Sequence, residues 1–530
     1  MRKKILVSLL LLTCTFNLWS QQIIPYSYYQ YQKLNKSLYS LDTRFHTSIK
    51  PVIGDDTIIT RQLDSLLLIG TGKIRNSWVS RKLFNEHLVE VNKEDYTFYL
   101  DFLPDFQIGR DTEHKITTWI NTRGYQLGGT IGKRFSFYSS GFENQSRFNN
   151  YLTNYINSKG IIPGMANDKF GVDKINKDWA YATAVINYTP SKFFTFTLGQ
   201  DKNFIGDGYR SMLYSDVAAP YPFFKISATL GNVKYVAMWS QFQDPLSEPL
   251  SYDNGFRKKW GAFHYLDWNV NNRLSLGFFD SIIWQDADEK GKRGFDVSYL
   301  NPVIFLRTVE GINGSPDNAL IGFTGKYKLL SNLTIYGQAA ADEFTAKEVF
   351  KGEGYWANKF AYQLGIKGFD AFKVPGLNYL AEFNTARPFT YSQRTSLLNY
   401  GHYAESLAHP MGANFREFLT IWNYQLNKWS LSAQANYANY GLDNGENMGK
   451  DINQSYLTRQ RENGYKTGDG LKTNFAYLDG RVGYVINPKY NLRLEAGGIF
   501  RQEKNNLSND KTIMFTFGLR STFRNIYQDF

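Results

Sequence analysis

The feature that most constrains this chain is an alternation of apolar and polar residues, in runs of about ten, repeated along most of its length. Trp429, Leu431, Ala433, Ala435 and Tyr437 alternate with Ser430, Ser432, Gln434, Asn436 and Ala438. Leu492, Leu494, Ala496 and Gly498 alternate with Asn491, Arg493, Glu495 and Gly497, and Ile513, Phe515, Phe517 and Leu519 with Thr512, Met514, Thr516, Gly518 and Arg520. Successive side chains of a strand point to opposite faces, so each run makes a sheet with one greasy and one wet side. A soluble sandwich can satisfy the same pattern. Runs of this length, rich in aromatics and with long loops on one end only, fit a closed barrel in lipid better.

The composition agrees. The chain is 17% aromatic, yet its mean hydropathy is −0.42. A barrel reconciles the two, because one strand face meets lipid while lumen and loops stay polar, and aromatics gather at the membrane interfaces. Residues 1–20 read as a secretory leader: Arg2, Lys3 and Lys4, then an apolar core over 5–12, then Ser20 before a plausible cleavage site. That core is too short for a membrane helix, and no other stretch approaches the required length. The single cysteine, Cys14, lies in this leader. Leu12-Thr13-Cys14 offers a lipoprotein reading that Thr13 fits poorly; after leader cleavage no thiol remains for a disulfide. The formal charge is +12. Interspersed Asp and Glu argue against nucleic acid, and a basic exterior suits acidic polysaccharide or lipid phosphate.

Eight tight turns are placed near 131–133, 189–191, 231–232, 270–272, 330–332, 370–376, 426–428 and 487–489. Most carry Gly, Pro, Asn or Asp. The connections on the other end are longer: 147–178, 202–221, 285–318, 389–415 and 441–473. Short turns are periplasmic and long loops extracellular in outer-membrane barrels. With both ends of the barrel chain on the periplasmic side, the turns imply about eighteen antiparallel strands within 96–530. Residues 21–95 break the beat. Tyr31, Leu34, Leu38 and Leu41 have helical spacing, as do Phe84, Leu88 and Val91 behind Trp78, which predicts a periplasmic segment with short helices. Alternation fades after Phe523, leaving 524–530 as a short tail that ends in Phe530. A terminal aromatic is common in barrels handed to the outer-membrane assembly machinery.

Enzyme signatures are missing: there is no Gly-x-Ser-x-Gly elbow, no His-Glu-x-x-His pair and no phosphate loop. Gly206-Asp207-Gly208 lacks the rest of a nucleotide fingerprint. Asp201-x-Asn203 lacks ligands at the later positions of a calcium loop, where Ile205 and Met212 stand. The chain therefore reads as non-enzymatic, without cofactor or metal. What remains are polar-aromatic loops: Asp201, Asn203, Asp207, Tyr209 and Arg210 in 199–216, Arg307 in 301–318, and Tyr391, His402 and His409 in 387–414. Aromatic faces stack on sugar rings, while Asp, Asn and Arg bind hydroxyls or uronate carboxylates. The same mixture also serves to satisfy loops folded into a wide barrel. These nine residues are the candidate polysaccharide site, expected near the extracellular mouth; Arg493 and Glu495 read as lumen lining.

The same loop segments resemble the Wzi-type capsule assembly family, especially its RemB-like, gliding-associated branch. The match is carried by 199–216, by 301–318 with Gly337-Gln338 and Asp342-Glu343-Phe344, and by 387–414, and it extends to 44–49 and 527–530. The resemblance implies an eighteen-stranded outer-membrane barrel with a small helical periplasmic part. It further implies a non-enzymatic role in attaching or handling surface polysaccharide, and in the RemB-like branch a link to gliding or colony spreading. Expected partners are surface polysaccharide, outer-membrane lipid and lipopolysaccharide, and the assembly machinery. A passive diffusion channel and a structural component of a motility or secretion assembly stand as alternatives.

Overall fold

The computed structural model describes residues 22–23, 25–54, 65–69, 71–72, 75–171, 174–302, 304–315, 317–521, 524 and 526–530. The leader expected at 1–20, with Cys14, lies outside the described residues. Eighteen antiparallel strands close into one barrel. The first six are β1 (Tyr96–Asp111), β2 (Ile116–Ile131), β3 (Phe135–Arg147), β4 (Asn176–Ser191), β5 (Phe194–Asp201) and β6 (Tyr221–Leu230). Next come β7 (Val233–Asp244), β8 (Arg257–Asn269), β9 (Leu274–Gln285), β10 (Asn318–Leu330), β11 (Leu333–Ala341) and β12 (Phe360–Gly368). The last are β13 (Leu377–Ala386), β14 (Phe415–Leu426), β15 (Trp429–Leu442), β16 (Leu471–Asn487), β17 (Leu492–Lys504) and β18 (Asn509–Arg520). Strand β18 pairs with β1 from Met514↔Asp111 to Leu519↔Phe106, so the sheet has no free edge there.

Seven of the eight turns fall where the residue pattern places them, and the one expected at 189–191 lies just beyond, at 192–193, because β4 continues through Ser191. Gly231 (φ 60°) and Asn427 (φ 50°) supply the left-handed backbone that two-residue hairpins need. The opposite end differs from expectation in detail. It carries seven long connections, adding 245–256 and 342–359 to the five anticipated, and two short ones, 112–115 and 505–508. The short pair flanks the closing seam, so the loop end is low on that side.

The alternation sorts the wall as polarity requires. Trp429, Leu431 and Tyr437 are exposed on the outside, while Asn436 and Ala438 are buried inside. Phe515 and Phe517 face out, and Thr512 and Met514 face in. No helix among the described residues is long and apolar enough to cross a membrane; the strands do that work.

The lumen is packed with the protein's own chain. Met212, Leu213 and Tyr214 from one connection and Tyr391, Tyr400 and Leu407 from another form one cluster with inward wall residues from Phe263 round to Met514. Helix α1 (Tyr28–Leu38) buries Tyr31, Leu34 and Leu38 with Tyr26, Tyr39 and Phe204. The second helix, α2 (Trp78–Phe84), buries nothing. The helical spacing read into Leu88 and Val91 is corrected: β-branched Val89 and Val91 lie in a short strand, Val89–Asn92, that pairs with β1. The closing tail also turns inward. Tyr527 donates its hydroxyl to Asp216 (2.6 Å), Arg524 pairs with Asp201, and the Phe530 ring lies 4.7 Å from that of Tyr155. Tyr155 belongs to α3 (Asn150–Lys159), on the loop side.

Candidate functional site

The loop residues singled out from sequence converge, but inside the barrel. Asp201, Asn203, Asp207, Tyr209, Arg210, Tyr391, His402 and His409 are all at most 9% exposed; the side chain of Arg307 lies outside the described residues. They do not form an open rim. They tie the connections to the wall, the N-terminal segment and the tail.

Asp207 shows the logic. Its carboxylate accepts hydrogen bonds from the Tyr39 hydroxyl (2.6 Å) and the Thr47 hydroxyl (2.5 Å), and its carbonyl accepts from Lys367. Burial alone would raise its pKa, but Lys326, Lys367 and Lys50 overcome that and hold it well below the usual carboxylate range. On either side, Lys50 donates to the Gly206 carbonyl (2.7 Å) and Glu382 accepts the backbone N–H of Tyr209 (2.6 Å). Arg210 is bound by Glu417 (3.0 Å) and Asp529 (2.7 Å) and lies over the rings of Tyr209 and Tyr527. Asn203 takes a bond from Lys225 (2.8 Å), and Tyr391 donates to the Met212 carbonyl (2.7 Å).

The two histidines are structural in this arrangement. His409 Nε2 contacts Glu417 at 2.8 Å, and His402 Nδ1 accepts the backbone N–H of Gln243 at 3.0 Å. Burial lowers His402 to about 3 and His409 to about 4, in the latter against the pull of Glu417, so both are neutral at pH 7. Among the described residues no group of three or more His, Cys, Asp or Glu side chains could hold a metal ion.

Beside this network lies a cavity of about 550 Å³ at the low side of the loop end. Its walls come from α3, the connections 387–414 and 443–470, the loop-side ends of β15 and β17, the start of β18, and the tail. Tyr151, Tyr155, Tyr440 and Phe530 supply ring faces. Lys159 pairs with Asp451 (3.3 Å), and Arg501 reaches Glu503 (2.6 Å), Asp510 (2.9 Å) and the Phe530 carbonyl (3.2 Å). Lys450 differs. It donates to the Met411 carbonyl (2.5 Å) and lies 4.7 Å from the Tyr440 ring, and it has no ion-pair partner among the described residues. Burial lowers it to about 8, against Asp451 and Glu503. Glu405, on the far wall, accepts the Gly164 N–H (2.8 Å), and burial raises its carboxyl above the usual range, against the pull of Lys202. Rings beside donors and acceptors of both signs can stack on sugar faces and bind hydroxyls or an acidic substituent.

None of these lining residues is among the nine candidate site residues read from sequence, and Phe530 stands out there only as a terminal aromatic. Tyr440 and Arg501 stand at strand ends, where alternation reports which face a side chain takes but not that a cavity meets it. Lys450 sits in a connection recognised only by its length. A second cavity, of about 210 Å³, lies deeper in the lumen and is lined by Arg481, Arg493, Glu495 and Arg520. There Glu495 is shared by Arg493 (2.8 Å), Arg481 (3.1 Å) and Arg520 (3.1 Å).

Neither a family model nor a curated protein matches the sequence. Among solved structures, Wzi of Escherichia coli, described as an outer-membrane protein involved in group 1 capsule assembly and a carbohydrate-binding β-barrel, superposes with a TM-score of 0.57 at 13% identity, over 95% of this chain and 99% of that one. OprD of Pseudomonas aeruginosa aligns at TM-score 0.43 and 9% identity, over 80% of this chain and 94% of that one. OccK2 of the same organism, solved with glucuronate, aligns at TM-score 0.42 and 9% identity, over 81% and 99%. At these identities what the chain shares with Wzi is its architecture, a closed barrel followed over nearly the whole length of both proteins.

Proposed function

We propose that this protein is an outer-membrane barrel that binds surface polysaccharide at its loop-end cavity and performs no chemistry on it. In this reading the loop end faces the medium, residues 21–95 face the periplasm, and the bound glycan is capsule or exopolysaccharide. Gliding or colony spreading is the process such a hold would serve if the RemB-like resemblance extends to physiology.

The observation that carries the reading is the cavity of about 550 Å³, where the rings of Tyr155, Tyr440 and Phe530 face Lys450, Lys159 and Glu405. A hydrogen bond involving a charged group contributes about 1.5–3 kcal/mol, and repetition along a polymer adds avidity. The packed lumen supports binding over passive diffusion, since a channel needs a continuous path of water. The architecture held in common with a carbohydrate-binding barrel is consistent with the same reading.

The test is titration of the purified barrel with polysaccharide extracted from the surface of its source cells. Saturable binding is expected, weakened about tenfold or more by Tyr440→Ala combined with Lys450→Ala. That factor corresponds to the roughly 1.4 kcal/mol of one such contact. No binding by the unaltered protein would sink the reading, and unchanged affinity in the double variant would remove this cavity from it.

A further inference from the structure

The middle of the connection 286–317, around Tyr299 and Leu306, turns back and lies against the outside of the wall. In β7, β8 and β9 the residues Val236, Phe263 and Phe279 point into the lumen cluster, so Trp239, His264 and Asp280, on the alternate positions, point out. Outward side chains then bolt the connection down. Trp239 Nε1 donates to the Tyr299 carbonyl (2.7 Å), the Tyr235 hydroxyl to the Pro302 carbonyl (2.5 Å), and Trp284 Nε1 to the Gly294 carbonyl (3.1 Å). Asp280 Oδ2 accepts the backbone N–H of Leu306 (2.5 Å), the first residue of α4 (Leu306–Asn313). Tyr299, Leu306 and Val309 are buried against Trp239, Ala262, Ile282 and Trp284.

What lies beneath is a polar breach in the lipid side of the wall. His264 stands opposite Asp280 in the register of β8 and β9, and both are buried. Charged side chains on the lipid face destabilise a barrel most near the midplane, acids less than Arg or Lys. The connection covers this pair and gives Asp280 a backbone donor.

The outer surface of the cover is apolar. Val297, Phe305 and Ile312 are 73%, 57% and 85% exposed. The ring of Phe305 lies 5.9 Å from that of Phe278, which is 5.1 Å from that of Phe323, an exposed member of the wall's outer belt. The apolar face of the cover is therefore continuous with the surface the barrel presents to acyl chains. Its depth agrees. The Leu306–Asp280 bond lies five residues short of the loop-side end of β9, roughly 17 Å along the strand at 3.3 Å per residue. A helix is the form in which such a segment can lie there, because its backbone is satisfied internally, and Thr308 returns its hydroxyl to the Phe305 carbonyl (2.7 Å).

We infer that residues 295–302 and 304–313 form a flap immersed in the outer leaflet of the bilayer, with Phe305 and Ile312 in contact with lipid. The inference is independent of what the loop-end cavity binds. Its test uses the full chain in phosphatidylcholine vesicles with one environment-sensitive fluorophore at Ile312→Cys. Cys14, the only cysteine in the sequence, is changed to Ser. The reference is Leu457→Cys, an exposed position in the connection 443–470. A label at 312 should emit at shorter wavelength than one at 457, and doxyl-labelled lipid should quench it several-fold more strongly than iodide does, with the order reversed at 457. Equal quenching by iodide at both sites would place the flap in water and overturn the inference. A blue-shifted label that doxyl lipid leaves unquenched would mean protein contact, such as a second copy, and would overturn it too. Phe305→Cys provides the second variant should Ile312→Cys fail to fold.

Discussion

Arg210 and Asp529 meet at 2.7 Å across 319 positions of sequence, both buried, with Glu417 on the other side of the same guanidinium. One cation thus joins a lumen-entering connection, the barrel wall and the end of the chain. Removing it leaves two carboxylates in a dry site. Breaking a buried pair from one side costs about 3–5 kcal/mol, so Arg210→Ala should lower the temperature of heat-modifiable migration well below that of the parent. Arg210→Lys should recover only part of the loss, because a point charge cannot fork across both carboxylates. A loss below about 1 kcal/mol would mean that water reaches the pair, as at exposed bridges.

Close backbone approach makes a second prediction. A Cβ on Gly208 would meet Glu382 Oε1 at 2.2 Å and the Arg210 carbonyl at 2.9 Å. The Glu382 carboxylate cannot simply step aside, since it holds the N–H groups of Tyr209 and Arg210 and the Tyr336 hydroxyl. Gly208→Ala should therefore destabilise the protein by about 1–3 kcal/mol, the usual cost of overpacking. Gly325→Ala, with nothing within 4 Å of the added methyl, should leave the same melting readout near the parent value.

The contrast between these sites and the wall explains how much of the molecule is legible in its sequence. Strand alternation is local geometry. Trp429 to Tyr437 and Ile513 to Leu519 reveal which side chains meet lipid without reference to any partner, and Gly231 and Asn427 mark their turns by backbone conformation. Whether Asp207 or Arg210 faces a ligand or the protein's own interior is not local. The same polar-aromatic loop serves either purpose, and the choice is made by Tyr39, Glu417 and Asp529, which arrive from distant segments. For the same reason the fading alternation after Phe523 marks a tail without saying that it enters the lumen, and the outward pair His264 and Asp280 reads as an ordinary break in pattern until the connection above is seen to cover it.

Burial of neutral histidine makes the packing sensitive to acid. His402 and His409 titrate near 3 and near 4 in the fold and near 6.5 when unfolded. Between those values the unfolded chain binds protons that the folded one refuses, so stability is fully present above about pH 6.5 and is lost as pH falls toward 4 and then 3. Each unit of the gap corresponds to about 1.4 kcal/mol. Amide exchange and limited proteolysis in the connection 387–414 should rise progressively below pH 6, while the wall strands stay protected. Replacing His402 with Gln should flatten that dependence, and an unchanged acid profile would show that the rings are reached by water.

The tail supplies the last prediction. Arg524, Ile526 and Gln528 line the inner cavity of about 210 Å³, whereas Tyr527 and Phe530 line the outer one of about 550 Å³. This stretch thus borders both spaces and acts as the partition between them. Its attachments are polar and specific: Arg524 to Asp201, Tyr527 to Asp216 and Asp529 to Arg210. Deleting residues 524–530 removes the partition while leaving the eighteen strands and their closure through β18 and β1 in place. In planar bilayers the intact protein should be electrically quiet and the truncated one should give steady openings. Pairing the deletion with Asp201→Asn, which removes the buried carboxylate that loses Arg524, should keep the barrel folded well enough to record. Silence in both truncated forms, with heat-modifiable migration intact, would mean that the connections 202–220 and 387–414 close the lumen without help from the tail.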